Sequence, residues 1–184
     1  MRVIAGIRRG CKLFEFEGDA IRPTTDRVKE NMFNLLAPYL AEAQVLDLFA
    51  GSGALAIEAI SRGARGAVLC DNAKASIDLI RRNIKKADFE SVAAVVQADA
   101  ISYLKTCEKT FDVILFDPPY NTGLLKKAMR TVVEYEILSR DGILMAERDD
   151  TEPIDAVQGL RLLKERRYGR THICLFESEK HDLG

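Results

Sequence analysis

Apolar and polar positions change their spacing several times along this chain, and each change marks an element. Residues 45–50, 67–70, 92–96, 111–116 and 143–147 are short, nearly continuous apolar runs. Strands covered on both faces lose the two-residue alternation, so these runs predict buried parallel strands. Between them, residues 54–62, 73–87 and 124–134 carry apolar side chains three or four positions apart, as in Ile77, Ile80, Ile84 and Ala87. That spacing predicts helices with one buried face, the first of them closed by Gly63. An earlier helix is predicted around Val28, Met32, Phe33, Leu35 and Leu36, capped by Thr25 or Asp26 and ending before Pro38 or soon after it. Near both ends of the chain the period drops to two. Residues 2–5 and 11–16 flank the loop Gly6-Ile7-Arg8-Arg9-Gly10, and residues 160–167 and 171–177 flank Tyr168-Gly169-Arg170. Both read as β-hairpins, and Asp141-Gly142 reads as a turn into the strand at 143–147. This order of strands and helices predicts an α/β domain around a largely parallel sheet.

Composition narrows the class without altering that picture. The 184 residues suffice for a single domain with a full core. With 47% hydrophobic and 30% charged residues the chain is neither disordered nor membrane-like, and no apolar run approaches the ~18 residues of a transmembrane helix. Arg8 and Arg9 arrive too soon for a secretory leader, so a cytoplasmic location is expected. The four cysteines, Cys11, Cys70, Cys107 and Cys174, show no CxxC spacing, and His172 and His181 are the only histidines. Neither a metal site nor a disulfide framework is expected; the thiols read as core or surface groups, and both histidines as structural or solvent-facing. The net charge of −1 hides two basic ends: Arg2, Arg8, Arg9 and Lys12 without an acid, and Arg161, Lys164, Arg166, Arg167 and Arg170 against Glu165 alone. Such ends suit a polyanionic partner, although a basic run is more often an ordinary solvated face.

Candidate chemistry gathers where predicted strands end. The strand at 45–50 runs into Gly51-Ser52-Gly53 and then a helix, a turn in which glycines let the backbone approach a ligand beside unpaired helix N–H groups. Asp71 closes the next strand 18 positions past Gly53, the spacing of an acid that accepts ribose hydroxyls; a plain packing turn is the other reading. Asp99 closes the third strand, placed either to accept from an adenine amino group or to cap a helix over residues 100–107. Arg81, Arg82, Lys85 and Lys86 read as the solvated face of the preceding helix. Arg22, Thr24 and Arg27 lie in a donor-rich cap region that either grips phosphate or orders its own loop. The fourth strand ends in Asp117-Pro118-Pro119-Tyr120. Proline restricts itself and its predecessor, so two acceptors are held rigidly beside a ring, which suits a flat ligand bearing an amino group. A rigid loop with an N-cap aspartate accounts for the same four residues.

The parallel series closed by an antiparallel hairpin, with Asp47-Leu48-Phe49-Ala50-Gly51-Ser52-Gly53, resembles the class I S-adenosylmethionine-dependent methyltransferases; the third glycine of the dehydrogenase pattern is missing. Asp117-Pro118-Pro119-Tyr120 resembles the signature of enzymes that methylate an exocyclic nitrogen. Gly6-Ile7-Arg8-Arg9-Gly10-Cys11-Lys12-Leu13, Arg22-Pro23-Thr24-Thr25-Asp26-Arg27-Val28 and Leu46 to Leu55 together look like the RsmD family, over essentially the whole chain. This sequence departs from the family at Cys11, where arginine or a similar group is usual, at Asp71, where glutamate is frequent, and at Tyr120, where phenylalanine is frequent.

The resemblance implies a Rossmann-like fold with a seven-stranded, mostly parallel sheet whose last strand is antiparallel. Residues 1–20 would form a hairpin extension and 21–184 the catalytic core. It implies methylation of guanine N2 in 16S rRNA, naked or in the assembling small ribosomal subunit, by a bacterial, monomeric enzyme using S-adenosylmethionine and no metal. The implied catalytic residues are Asp117, Pro118, Pro119 and Tyr120, with Asp117 and the Pro118 carbonyl accepting the two N2–H groups and Tyr120 stacking on the base. The implied cofactor set is Asp47, Phe49, Gly51, Ser52, Gly53, Asp71, Asn72, Asp99 and Ala100. The RNA set is Arg8, Arg9, Lys12, Arg22, Thr24 and Arg27. Rival expectations are an adenine-N6 or protein-glutamine methyltransferase, and a non-catalytic RNA-binding module.

Overall fold

In the computed structural model, which describes residues 1–16, 26–119, 122–151, 154 and 156–179, the chain runs α1 (Asp26–Leu40), β1 (Gln44–Asp47), α2 (Ala54–Ser61), β2 (Gly66–Asp71), α3 (Lys74–Ala87), β3 (Ala93–Gln97), α4 (Ala100–Thr106), β4 (Phe111–Phe116), α5 (Leu124–Glu134), β5 (Leu138–Asp149), β6 (Leu160–Tyr168) and β7 (Thr171–Ser178). The strands form one sheet in the order β3-β2-β1-β4-β5-β7-β6, and β7 runs opposite to the other six. The predicted α/β architecture is therefore the observed one, including the closing antiparallel hairpin.

The apolar runs are buried because both faces of the sheet are covered. In β4, Val113 and Leu115 join the core on the side of α1, α2 and α3, while Ile114 and Phe116 join the core on the side of α4 and α5. All four are 0% exposed, and each such side chain contributes about 1.5–3 kcal/mol. Every residue of α2 is buried, its apolar positions running all round the helix and interrupted only by Glu58 and Ser61. From β1 the chain winds outwards through β2 to β3, then returns through α4 to β4 on the other side of β1. The winding direction reverses between β1 and β4, and the crevice outside the carboxyl ends of strands at such a point is where ligands bind in open α/β sheets.

Two predicted features are altered. The N-terminal hairpin has no strands of the expected length: Arg2 and Lys12 form an isolated bridge, supported by Val3 N to Cys11 O at 2.9 Å and Leu13 N to Met1 O at 3.0 Å. The cause is competition from side chains of the core. Ile4 N and Ala5 N donate to the Glu58 carboxylate at 2.8 and 3.0 Å, and Phe14 N donates to Asn83 Oδ1 at 2.7 Å. This arm lies so close to α2 that a Cβ on Gly6, whose φ is +83°, would stand 1.7 Å from Ser61 O. The second change concerns Asp141-Gly142, which lies inside β5 rather than in a turn. Between the pairs Phe111–Leu138 and Val113–Ile143, β5 takes five steps against two of β4, so the turn is absorbed as an irregularity in the strand.

Candidate active site

A cavity of about 1610 Å³ opens at the carboxyl ends of β1, β2, β4 and β5. Phe49, Gly51, Ser52, Asp71, Asn72, Asp99, Ala100, Asp117, Pro118 and Pro119 all line it, as does Arg27. Residues read from four separate strand ends thus converge on one space.

Its first half is built by the loop after β1. Ala50 N donates to Cys70 O at 3.0 Å and Gly53 N to Ala50 O at 2.6 Å, closing a turn in which Gly51 (φ +54°) and Gly53 (φ +79°) take left-handed conformations. Asp71 holds that turn: its Oδ2 accepts from Gly51 N and its Oδ1 from Ala73 N, both at 2.9 Å. Gly53 lies outside the cavity wall, where a Cβ would meet Leu69 at 3.0 Å and Ile80 at 3.4 Å. Asp47 is buried beneath the loop, with Oδ2 accepting from Ala56 N at 3.2 Å and Oδ1 lacking a hydrogen-bond partner. Burial, with Asp71 adding repulsion, pushes its carboxyl up to about 7. Asp99 caps α4, accepting at Oδ1 from Ser102 N at 2.9 Å and Ser102 Oγ at 3.0 Å. Those bonds hold its carboxyl below the usual range. Both sequence readings of Asp99 thus meet at one residue, a helix cap that also faces the cavity.

The second half is the end of β4. Asp117 is half-buried and faces the cavity, Pro118 is buried and Pro119 exposed. Thr122 Oγ1 donates to Pro119 O at 2.9 Å and accepts from Leu124 N at 3.3 Å, fastening the segment to the start of α5. Phe116 meets Phe49 edge-on, with ring centres 5.7 Å apart, so the floor beneath the two halves is shared. Phe116 pairs with Ala146 across the β4–β5 ladder, which brings the next residues, Asp117 and Glu147, side by side. Glu147 is 4% exposed and lines the same cavity. Burial, then repulsion from Glu147 and Asp47, pushes the Asp117 carboxyl well above the ordinary carboxylate range. Sequence reading left Glu147 without a role, although it follows the rule that singled out Asp71 and Asp117: an acid closing an apolar run.

The N-terminal arm supplies a wall that sequence reading did not foresee. Met1, Glu15 and Phe16 line the cavity. Asn83, fully buried on α3, donates from Nδ2 to Phe14 O at 3.1 Å and to Ser52 O at 2.9 Å, so one side chain ties the arm to the glycine turn. Lys29 and Glu58 anchor the arm from below, with Nζ 3.4 Å from Oε2 and both side chains at most 1% exposed. Burial drives the Lys29 amine down, opposed by Glu58. Opposite the arm, the cavity is bordered by the β6–β7 tip, where Arg167 pairs with Asp150 at 2.8 Å and Arg170 with Asp149 at 3.2 Å. His172 behind that tip is structural, bridging Asp150 at 2.6 Å and Glu165 at 2.8 Å. Of the predicted RNA-binding residues, Arg8 is engaged by Asp88, and Arg9 and Lys12 are exposed on the arm outside the cavity. Arg22, Thr24 and Tyr120, with the cap residue Thr25 and His181, lie outside the described residues.

Comparison with known proteins gives consistent matches over nearly the whole chain. The family model of conserved hypothetical protein 95 matches residues 1–177. YlbH of Bacillus subtilis is 37% identical over 181 residues, covering 96% of this chain and 98% of that one. The ribosomal RNA small subunit methyltransferase D of Haemophilus influenzae is 33% identical over 181 residues, covering 97% and 94%. Among solved structures, yhhF of Escherichia coli superposes with a TM-score of 0.87 at 32% identity, covering 97% of this chain and 98% of that one.

Proposed function

This chain belongs to the family described as conserved hypothetical protein 95, the RsmD family, and from that premise we propose that it transfers a methyl group from S-adenosylmethionine to the exocyclic N2 of a guanine in 16S rRNA. The observation that carries the reading is the meeting, in one cavity, of the Asp71-braced glycine turn and the acceptor end of β4. At about 1610 Å³ that cavity exceeds the ~300–1,000 Å³ of ordinary small-ligand pockets, which leaves room for a donor and an inserted base together.

The residues present fit the donor. Phe49, Ala98 and Ala100 offer an apolar wall for a purine, Asp71 and Asp99 offer carboxylate oxygens for ribose and amino groups, and the position of a Gly51 Cβ is open space. Of the six cavity-lining acids, Asp71 and Asp99, beside the glycine turn, suit a cation. When bound, S-adenosylmethionine supplies an electrophilic methyl group on a positively charged sulfur.

The remaining chemistry belongs to the chain. The N2 lone pair of guanine is delocalised into the ring and attacks poorly. Asp117 accepts one N2–H and the Pro118 carbonyl the other, which favours a pyramidal nitrogen; fixed acceptors and orientation are worth up to ~7–11 kcal/mol in ideal cases. The nitrogen becomes acidic only as the new bond forms, and Asp117 then takes the proton. Its raised pKa, caused by burial and Glu147, makes it a better acceptor at that moment than an ordinary aspartate.

Calorimetric titration tests the donor half of this reading. Wild-type protein is expected to bind S-adenosylmethionine, and Asp71→Ala to weaken binding by about 1.5–3 kcal/mol, roughly 10- to 150-fold, the range for hydrogen bonds to a charged group. No binding by the wild type, or equal binding by the variant, would refute the assignment.

A further inference from the structure

The N-terminal arm runs along α3, and the residues that touch the helix come every third position. Arg8 pairs with Asp88, Cys11 Sγ lies 3.8 Å from Lys86 O, and Phe14 exchanges hydrogen bonds with Asn83. Arg9 and Lys12, between these contacts, are exposed, as are Arg81, Arg82, Lys85 and Lys86 on α3. Among the described residues these six cations have no carboxylate within ion-pair distance, while the bordering acids Asp78, Asp88 and Glu15 are engaged by Lys74, Arg8 and the terminal amine.

At the other basic end of the sequence three of the five cations, Arg161, Arg167 and Arg170, are each paired with an acid, so less of its charge is left for an outside partner. On α3, Arg81 with Lys85 and Arg82 with Lys86 are like-charge pairs one turn apart, an arrangement that is mildly unfavourable unless an external anion compensates it. The Phe14 ring, 38% exposed, lies beneath Arg82 at 4.4 Å and Lys86 at 4.1 Å, giving a flat apolar surface among the cations. The face also leads into the site: Glu15 and Phe16, immediately after Phe14, line the cavity.

We propose that the joint surface of the arm and α3, with Arg9, Lys12, Arg81, Arg82, Lys85 and Lys86 around Phe14, is a docking face for the phosphate backbone of the RNA whose base enters the cavity. The identity of that RNA rests on the function proposed above. The α3 cations are thus substrate contacts, not a merely solvated face, and they carry the arm's charge along one continuous track.

The test uses Arg81→Glu with Lys85→Glu, both exposed, beside a control of equal charge change, Lys105→Glu with Arg130→Glu, on α4 and α5 across the sheet. Binding of naked 16S rRNA is measured from low to high salt, with methyl transfer recorded in parallel. The α3 pair is expected to bind RNA at least about tenfold more weakly, to lower the log–log salt slope by about 0.7–0.9 per cation removed, and to show its loss in KM. The control pair is expected to stay within about twofold of wild type. Equal weakening in both pairs overturns the proposal, since net charge alone would then explain it. Unchanged RNA binding by the α3 pair with reduced binding to phosphatidylglycerol vesicles overturns it in favour of a membrane partner. Wild-type protein that binds but does not methylate RNA contradicts the proposed function and leaves the docking face to be judged by the binding arms.

Discussion

Asp117→Ala is expected to lower methyl transfer by about 10³-fold or more while leaving S-adenosylmethionine binding and RNA affinity within a few-fold of wild type, because it removes both a positioned acceptor and a proton acceptor. The side chain follows β4 and faces the cavity, and the segment that carries it is fastened by Thr122 at Pro119 O. Single-turnover rates with saturating RNA isolate the step. Near-normal turnover in this variant would end the mechanism. The same residue fixes a pH signature. Because burial and Glu147 hold Asp117 protonated to higher pH than a free aspartate, activity is lost as pH falls through that raised value, so the acid limb stands above the ordinary carboxylate range of about 4. Glu147→Gln removes the neighbouring negative charge and is expected to move the limb to lower pH. A limb that does not move means that Glu147 has no part in setting the proton affinity of Asp117.

The largest expected effect on stability is that of Glu58→Ala. Glu58 is fully buried and accepts from Ile4 N at 2.8 Å, Ala5 N at 3.0 Å and Arg62 Nε at 2.7 Å, with Lys29 Nζ 3.4 Å away. Its loss leaves the buried Lys29 amine without its counter-charge, holding only Arg2 O, and takes the acceptor from two half-buried N–H groups, a change that costs about 3–5 kcal/mol. At this chain length each kcal/mol shifts the melting temperature by about 2–4 °C, so a drop of roughly 6–20 °C is expected in thermal melts followed by circular dichroism. Glu58→Gln retains an acceptor for the arm and should fall between the two. A melting temperature within about 2 °C of wild type for the alanine variant would show that the arm is anchored elsewhere.

Much of the architecture was legible because periodicity reports burial directly. The helix expected at 124–134 is α5, the apolar run at 111–116 is β4, and the third strand is displaced by one residue to Ala93–Gln97. The acids at strand ends were legible for a related reason: Asp71 and Asp117 interrupt apolar runs where a parallel sheet opens to its ligand side. What stayed hidden depends on partners far away in sequence. Nothing in alternation tells a hairpin that pairs with itself from an arm held by Glu58 and Asn83, which lie 54 and 69 positions from the residues they bind. Glu58 offered one local signal, a carboxylate inside the otherwise apolar stretch of α2. Arg82 and Lys86 resemble any solvated pair until Phe14 is found beneath them. At the basic end of β6–β7, the acids that pair with Arg161, Arg167 and Arg170 are Glu177, Asp150 and Asp149, which alternation along the chain does not bring beside them.

The most direct test of the proposed reaction offers radiolabelled S-adenosylmethionine with naked 16S rRNA, small ribosomal subunits and duplex DNA, then digests each to nucleosides and identifies the labelled one. Label in N2-methylguanosine from one or both RNA arms, and none from DNA, is the expected result. Label in N6-methyladenosine, label confined to DNA, or no incorporation into any of the three would contradict it.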